Sequence, residues 1–177
     1  MNVRYYIVYE MKSPMEPVDP LVLRKLLAML ARQFGNHLST YLEGQREKLA
    51  IERSKNTNKI RYLFLDGKMV FVLRPEPGFF SLTIHGGQLL HDLEKKGPMR
   101  NGVIVQQDVS SFIADGKNLF AKHVAGVAPG MVPLQEVYLQ DEQGKMLGVG
   151  KTVLSERDMR AFTRGVAVKS RHGINKK

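Results

Sequence analysis

The spacing of apolar residues predicts helices first and strands later in the N-terminal half of the chain. Asp19, followed by a proline, suits a helix N-cap, and apolar residues then recur at helical spacing as far as Phe34. Gly35 is placed to end this helix or to mark a break before a second one. After residue 60 the apolar period changes to two, and an Asp-Gly pair at 66–67 interrupts it, which predicts a β-hairpin.

The remaining stretches of this half are harder to interpret. Residues 3–9 are β-branched and aromatic, which predicts a short strand. Residues 44–59 are polar and charged with no clear period, so we expect a loop containing at most a helical turn. Residues 79–90 predict a strand, a turn at the paired glycines and the start of a helix.

The second half of the chain predicts a small barrel. Strands are expected over residues 102–109, 118–127 and 164–174, and a hairpin over 136–155 turns at residues 142–144. Two short helices are expected, one ending at a glycine and one capped by Ser155. Many short strands with turn signals are typical of barrels. We therefore predict an α+β protein, with an α/β domain over residues 1–98 and a barrel domain over 99–177.

Composition excludes several classes of function. The 177 residues contain no cysteine, which excludes disulfides, zinc-thiolate sites and cysteine nucleophiles. The five histidines have no metal-ligand spacing, and His85 and His91 give only a weak metal signal, so we expect no metal or cofactor. No apolar run approaches the roughly 20 residues of a membrane span. Since no signal peptide is evident, we expect a cytoplasmic protein that binds no membrane.

The charge is positive and clustered. The formal net charge is +10, from 27 Lys and Arg against 17 Asp and Glu. Residues 155–177 contain seven basic and two acidic residues, 7 − 2 = +5, and residues 44–61 contain six and two, 6 − 2 = +4. Such clusters attract polyanions, of which a nucleic acid is the obvious one and an anionic membrane surface the weaker one.

Four motifs of the second half resemble the PUA domain. They are G-x-x-L-F-A-K-x-V, P-x-x-x-P-x-x-E-V, L-x-V-G-x-x-x-L-S and R-G-x-A-V-K, found at residues 116–124, 129–137, 147–155 and 164–169. The form is similar to the PUA module of archaeal tRNA-guanine transglycosylases and archaeosine synthases. Residues 33–35 and 59–83 resemble the small α/β domain that precedes PUA in that group.

The resemblance implies a pseudo-barrel that binds structured RNA through its first helix, the following loop and strand, and its last strand. On this chain the implied RNA-binding residues are Gly116, Lys117, Asn118, Phe120, Lys122, His123, Lys169, Arg171 and His172. A secondary set comes from the basic stretches: Arg46, Lys48, Arg53, Lys55, Arg160 and Arg164.

Each of these assignments has an ordinary structural alternative. Gly116 suits a helix end whether or not its backbone approaches a phosphate. Most phenylalanines are buried, which favours Phe120 in the barrel core, although an exposed Phe120 could stack on a base. Strand alternation makes Lys169 and Arg171 project together, either towards RNA or as charges that protect an edge strand. Arg157, Arg160 and Arg164 are spaced to form one basic stripe on a helix.

The resemblance does not extend to a catalytic domain, for which the chain has no room. We therefore expect a non-catalytic RNA-binding protein that holds tRNA and assists a tRNA-modifying enzyme acting in trans. Binding of rRNA during ribosome biogenesis is the alternative. A third hypothesis is a cryptic RNA-modifying enzyme, although residues 1–98 give no sequence signal for the catalytic pocket that it would need.

Overall fold

The computed structural model describes residues 15–74 and 78–176, so the strand predicted over residues 3–9 lies outside the described residues. The helices are α1 (Pro20–Phe34), α2 (Asn36–Gly44), α3 (Ile84–Glu94), α4 (Ser110–Ala114) and α5 (Glu156–Ala161). The strands are β1 (Glu16–Pro17), β2 (Leu49–Arg53), β3 (Ile60–Leu65), β4 (Lys68–Arg74), β5 (Phe79–Leu82), β6 (Gly102–Val105), β7 (Leu119–Phe120), β8 (Val124–Val127), β9 (Glu136–Asp141), β10 (Met146–Thr152) and β11 (Val166–Gly173). Short 3-10 turns cover Arg46–Lys48, Gln107–Val109 and Ala121–His123.

The N-terminal half is an antiparallel sheet of strand order β1-β2-β3-β4-β5, against which the apolar sides of α1, α2 and α3 pack. Asp19 caps α1, since its carboxylate accepts from Leu21 N at 2.9 Å. Gly35 has a φ of 107° and separates α1 from α2. Asp66 and Gly67 both have positive φ and form the turn between β3 and β4, as the hairpin signal predicted.

Two predictions for this half are wrong. The stretch expected to be a loop contains β2, which pairs with β3 and buries Leu49 and Ile51 in the core. The alternation of apolar residues in β2 was not evident in the sequence, because the strand is short and its other residues are polar or small. The paired glycines do not form a turn but lie inside α3, where a Cβ on Gly86 would meet the Val70 carbonyl oxygen at 2.0 Å. A glycine tolerated in a helix for close packing has the same sequence signature as one in a turn.

The C-terminal half is a six-stranded sheet of order β7-β11-β10-β9-β6-β8 that curls into a nearly closed barrel. All its pairs are antiparallel except β6 with β9. The interior is filled by fully buried side chains such as Val103, Leu119, Leu139 and Val168. Ser155 caps α5 through Asp158 N, as predicted. The predicted α+β class with a C-terminal pseudo-barrel is thus confirmed.

The strand predicted over residues 118–127 is shorter than expected. The 3-10 turn Ala121–His123 splits it into β7 and β8, which lie at opposite ends of the sheet order. The turn therefore carries the chain from one edge of the curled sheet to the other.

The two halves share one continuous apolar contact. Tyr138, Met146 and Val149 of the barrel are part of the same buried cluster as the leucines of α1 and α2. Gly87 makes this approach possible, since a Cβ at that position would lie 2.3 Å from Val149 Cγ1. The domain boundary near Pro98 falls in the segment between α3 and β6 and stays a prediction.

A buried carboxylate fastens the same junction. Glu94, at the end of α3, accepts hydrogen bonds from Arg100 N at 2.8 Å, Asn101 N at 3.0 Å, Asn101 Nδ2 at 2.6 Å and the Tyr138 hydroxyl at 3.0 Å. Burial, followed by the charge of Glu94 and its hydrogen bond, strongly raises the pKa of Tyr138. The segment that joins the halves is therefore held to both of them.

Candidate nucleic-acid interface

The loop after α4 is bound tightly to the last strand. Gly116 has a φ of 85°, which an L side chain rarely adopts, and its N–H donates to Ile113 O at 2.9 Å. Gly173 lies directly beneath, since a Cβ there would be 2.1 Å from Ala114 O and 2.5 Å from Gly116 N. The predicted helix end at Gly116 is confirmed, and two glycines bring the helix end and β11 into backbone contact.

A reciprocal pair of hydrogen bonds holds the next two residues. Asn118 Oδ1 accepts from Ser170 N at 3.1 Å, and Ser170 Oγ donates to Lys117 O at 2.6 Å. The side chains of Lys117 and Asn118 are exposed. The loop is thus fixed in one position on β11 while Lys117 points to solvent. Ser170 was not among the predicted site residues, because its role depends on a partner 52 residues away.

Phe120 is exposed, which contradicts the preference for a core position. Its side chain is 47% exposed, whereas Leu119 is fully buried and fills the barrel. Phe120 lies opposite Val166 in the pairing of β7 with β11. Strand alternation places Asn118, Phe120 and Lys122 on one face and Leu119, Ala121 and His123 on the other, but it leaves open which face is the barrel interior. The structure puts Leu119 inside and Phe120 outside. The general tendency of phenylalanine to be buried was the misleading signal.

Lys122 and His123 separate beyond this point. Lys122 is exposed on the 3-10 turn. This turn lies beside the start of β11, since Ala121 N donates to Gly165 O at 2.9 Å. His123 is half-buried instead, with its Nδ1 at 3.3 Å from Gln106 Oε1 at the other edge of the sheet. The structure therefore places Lys122 with Phe120 and places His123 away from them.

The last strand splits the two basic residues that were expected to act together. Lys169 is exposed. Both terminal guanidinium nitrogens of Arg171 donate to the carboxylate of Glu136, at 2.6 and 2.8 Å, and that carboxylate also accepts from Leu82 N at 3.0 Å. The Glu136 side chain is 6% exposed. The expectation that Arg171 projects together with Lys169 towards RNA is therefore corrected, since its guanidinium group bonds Glu136 and so helps to fasten the barrel to β5.

The end of β11 adds positive charge beside the loop. His172 is exposed, and partial desolvation of its ring, followed by the charges of Arg171 and Lys176, lowers its pKa below the ordinary 6.5. Lys176 reaches back over the loop, since its Cδ would be 3.2 Å from a Cβ on Gly116. Lys176 belongs to the same surface as Lys117, although the sequence-based list of site residues omitted it.

We call the exposed residues of this face the basic face. Its members are Lys117, Asn118, Phe120, Lys122, Lys169, His172 and Lys176. Its four lysines form no ion pair among the described residues, and Gly116 lies beside Lys117 and Lys176. Exposed lysine ammonium groups and an exposed aromatic ring are suited to phosphates and bases.

The secondary basic residues are dispersed and partly paired. Arg160 pairs with Glu156 at 3.1 Å, and Arg46 with Glu47 at 3.2 Å. Arg53 pairs with Glu16. The expected arginine stripe is wrong in one respect, since α5 ends at Ala161 and Arg164 lies beyond it. Lys48 and Lys55 are exposed on the N-terminal half.

The geometry of α3 separates the two histidines that gave the weak metal signal in the sequence. His85 and His91 lie six residues apart on α3, which rotates them by about 240° and so to different sides. Burial, followed by Lys68, lowers the pKa of His85, whereas His91 is buried against the Tyr138 ring at 5.3 Å between centroids. The described residues contain no group of three or more His, Asp and Glu side chains that could hold a metal ion. Over residues 15–74 and 78–176, no helix has the length and apolar character needed to cross a membrane.

Comparison with known proteins assigns both halves. Residues 24–96 match the patch-forming domain C2 of tRNA-guanine transglycosylase, and residues 101–174 match the PUA domain. Residues 101–174 are therefore a PUA domain, and the chain as a whole is similar to part of archaeal tRNA-guanine(15) transglycosylase. It is 34% identical to the enzyme of Pyrococcus abyssi over 160 residues, which is 90% of this chain and 26% of that protein.

A second relative gives the same coverage. The chain is 32% identical to the tRNA-guanine(15) transglycosylase of Methanococcus maripaludis over 173 residues, or 97% of this chain and 26% of that protein. The chain thus spans about a quarter of the length of these relatives.

Solved structures show the same fold over nearly the whole chain. A hypothetical protein of Pyrococcus horikoshii superposes with a TM-score of 0.71 at 20% identity, covering 93% of this chain and 96% of that one. A conserved PUA domain protein of Thermoplasma acidophilum superposes with a TM-score of 0.64 at 15% identity, with the same coverage of both chains. The pairing of an α/β domain with a PUA barrel is therefore an architecture that occurs as a chain of this size.

Proposed function

We propose that this protein binds structured RNA through the basic face of its PUA barrel, and that its RNA is a tRNA. The observation that carries the proposal is a set of exposed lysines on segments that contact each other. Lys117 and Lys122 lie on either side of β7, which pairs with the strand of Lys169, and Lys176 lies against Gly116. These cations come from two stretches of the chain, residues 117–122 and 169–176, and form no ion pair among the described residues. Similarity to transglycosylases named for a tRNA substrate favours tRNA over other RNA.

Binding in this proposal depends mainly on phosphates. Lysine supplies point charges that contact phosphate oxygens without reading sequence, so the lysines set affinity and orientation. The fixed loop at Lys117 and Asn118 presents its groups in one geometry, which lowers the entropy lost on binding. Selection of a structured RNA would then come from the shape that the rigid loop and strand can accommodate.

The same proposal gives the protein an accessory, non-catalytic role. Both domains are similar to parts of enzymes that are named for tRNA, and we infer that they hold tRNA for a tRNA-modifying enzyme acting in trans. The extent of the basic face and its lack of a clustered acid, base and nucleophile support this role.

Crosslinking in cells followed by RNA sequencing tests which RNA is bound. Enrichment of tRNA is expected, and enrichment of rRNA or its precursors would instead support a role in ribosome biogenesis. In vitro, the affinity for a tRNA transcript is expected to fall steeply as salt rises, since each lysine-phosphate contact releases counterions. An affinity that does not change with salt would contradict the phosphate-based mechanism. Modification of a transcript by the purified protein alone would contradict the accessory role.

A further inference from the structure

A small pocket on the N-terminal half lies between α2, α3 and the turn that joins β3 to β4. Its volume is about 280 Å³, close to the lower end of the roughly 300–1,000 Å³ of small-molecule sites. Its polar lining includes Lys48, Lys68 and His85. Lys48 belongs to one of the basic stretches of the sequence, and His85 gave the weak metal signal. The proposed RNA-binding function uses neither of them.

Hydrogen bonds between neighbouring segments hold the walls of this pocket in place. Asp66 N donates to Lys48 O at 2.9 Å, which joins the β3–β4 turn to the 3-10 turn that follows α2. The Thr83 hydroxyl, at the N-cap of α3, donates to Met69 O at 2.6 Å and so fastens the start of α3 to β4. The elements that carry the polar lining are therefore linked to each other, which gives a preformed site.

The pocket carries an excess of positive charge. Lys48 and Lys68 are exposed and form no ion pair among the described residues, and Asp66 is the one acidic side chain of the described lining. The charge of the lining is therefore 2 − 1 = +1 while His85 is neutral, and +2 when its ring is protonated. Lys68 acts on that ring, since burial, followed by the charge of Lys68, lowers the pKa of His85.

The remainder of the lining is apolar or uncharged. Val70 is buried, and Leu65 and Leu89 are half-buried. Tyr41 is exposed, and its hydroxyl has no hydrogen-bond partner among the described residues. Apolar side chains beside converging polar groups are typical of a site for an organic molecule with a charged end, because carbon atoms of the ligand cover the apolar surface.

We propose that this pocket binds a phosphate monoester group carried by an organic molecule, with Lys48 and Lys68 contacting its oxygens. A monoester carries close to two negative charges near pH 7, whereas a phosphodiester carries one. The charge of +2 that the lining reaches when His85 is protonated therefore matches a monoester. A bound dianion offsets the charge of Lys68 and so raises the pKa of His85. The inference goes beyond the proposed function, because the pocket shares no residue with the basic face.

Ribose 5-phosphate and ribose are the paired probes, and NMR of the His85 ring is the measurement. The spectrum of His85→Gln, which lacks this ring, identifies its resonances among those of the five histidines. Ribose 5-phosphate is expected to shift these resonances to saturation and to raise the pKa of His85, whereas ribose is expected to do neither. Equal responses to the two probes, or no response to ribose 5-phosphate, would overturn the proposal.

Substitutions separate a defined site from general attraction to a basic protein. Lys68→Ala is expected to weaken binding of ribose 5-phosphate by about tenfold, as for loss of one charge-assisted hydrogen bond. Lys96→Ala removes an exposed lysine of the same half that does not line the pocket, and it is expected to leave the affinity unchanged. Thermal unfolding checks that both variants are folded. An equal loss of affinity in the two variants would show that no defined site exists.

Two RNA hairpins, one with a 5′-phosphate and one with a 5′-hydroxyl, distinguish the possible carriers of the monoester. Tighter binding of the phosphorylated hairpin that Lys68→Ala abolishes would show that the pocket receives an RNA end. Equal binding of the two hairpins, together with saturable binding of ribose 5-phosphate, would assign the pocket to a free organic phosphate. Failure of both hairpins to bind, with ribose 5-phosphate still bound, would contradict the proposed RNA-binding function and leave the pocket intact.

Discussion

The domain junction and the basic face both collect charged side chains, but they use them in opposite ways. At the junction, Glu94 and Glu136 are nearly inaccessible and their oxygens are occupied by donors from both domains. On the basic face, the lysines are exposed and without acidic partners among the described residues. β11 contributes to both, since Lys169 belongs to the face and Arg171 to the junction. Two basic residues on one strand are therefore placed differently, one in an ion pair with a buried carboxylate and one exposed to solvent.

The difference follows from solvation. Burying a carboxylate costs free energy unless hydrogen-bond donors replace its hydrating water. Once they do, removing the carboxylate or its donors leaves buried groups without partners. The ammonium group of an exposed lysine stays hydrated in the folded protein. Its removal therefore changes the free energy of unfolding little and removes only the interactions made with an external anion. The variants below are ordered by the expected size of their effect.

Glu94→Ala is expected to lower the free energy of unfolding by about 3 kcal/mol, because it leaves the Tyr138 hydroxyl and the backbone N–H groups of Arg100 and Asn101 without their acceptor and removes one of the two acceptors of Asn101 Nδ2. Urea denaturation measures the change. Glu47→Ala, which removes a carboxylate that is 87% exposed, is the control and is expected to change stability by less than about 0.5 kcal/mol. Equal stability of the two variants would show that the junction is not held by Glu94.

Arg171→Ala is expected to cost about 2 kcal/mol, since it leaves Glu136 buried with only the Leu82 N–H. Lys169→Ala is expected to change stability by less than about 0.5 kcal/mol but to reduce the salt dependence of RNA binding by about one phosphate contact. Denaturation and salt-dependent fluorescence anisotropy are measured on both variants. If Arg171→Ala left stability intact and weakened RNA binding, the guanidinium would belong to the basic face after all.

Ser170→Ala tests the fixed loop. Loss of its hydrogen bond to Lys117 O is expected to cost about 1 kcal/mol or less in stability and to weaken RNA binding several-fold, with an unchanged slope against salt because no cation is removed. Ser39→Ala removes a comparable hydroxyl-to-carbonyl bond in α2 and is the control for stability. An RNA affinity equal to that of the unmodified protein would show that the loop needs no such support.

The smallest effect is expected from His172, whose lowered pKa keeps it neutral at pH 7. Since the unfolded chain binds this proton more readily, the protein loses a little stability as the pH falls from about 6.5 through the lowered pKa. RNA binding is expected to strengthen modestly over the same interval, because the protonated ring adds a charge to the basic face. Comparison of the pH dependence of anisotropy for the unmodified protein and for His172→Gln isolates this contribution. Identical profiles would remove His172 from the interface.

Local sequence signals predicted much of the fold. The Asp19 cap, the Asp-Gly hairpin and the glycine that ends α4 were all found from residues that act within a few positions of themselves. β2 was missed because a strand of five residues is stabilised mainly by its pairing with β3, which the local sequence does not show. The glycines of α3 were misplaced because their small size serves contacts with Val70 and Val149, which are distant in sequence.

The candidate site divides in the same way. Alternation along residues 118–122 separated the two faces of the strand without deciding which one is exposed, and the clustered charge pointed to the C-terminal region, which stays a prediction. Ser170 and Lys176 were missed, and the role of Arg171 was misjudged, because each depends on a partner from another segment: Lys117, Gly116 and Glu136.

The sequence by itself determined the class of fold, the PUA motifs and the positive charge, because these reside in periodicity, turn chemistry and composition. Only the tertiary structure decided which cations remain free. That outcome depends on whether folding brings a carboxylate to each one, as Glu136 is brought to Arg171 and no described acid is brought to Lys169. Ion pairs between distant segments leave no local pattern in the sequence. Packing alone therefore decides whether a basic side chain holds the two domains together or stays free to bind an anion.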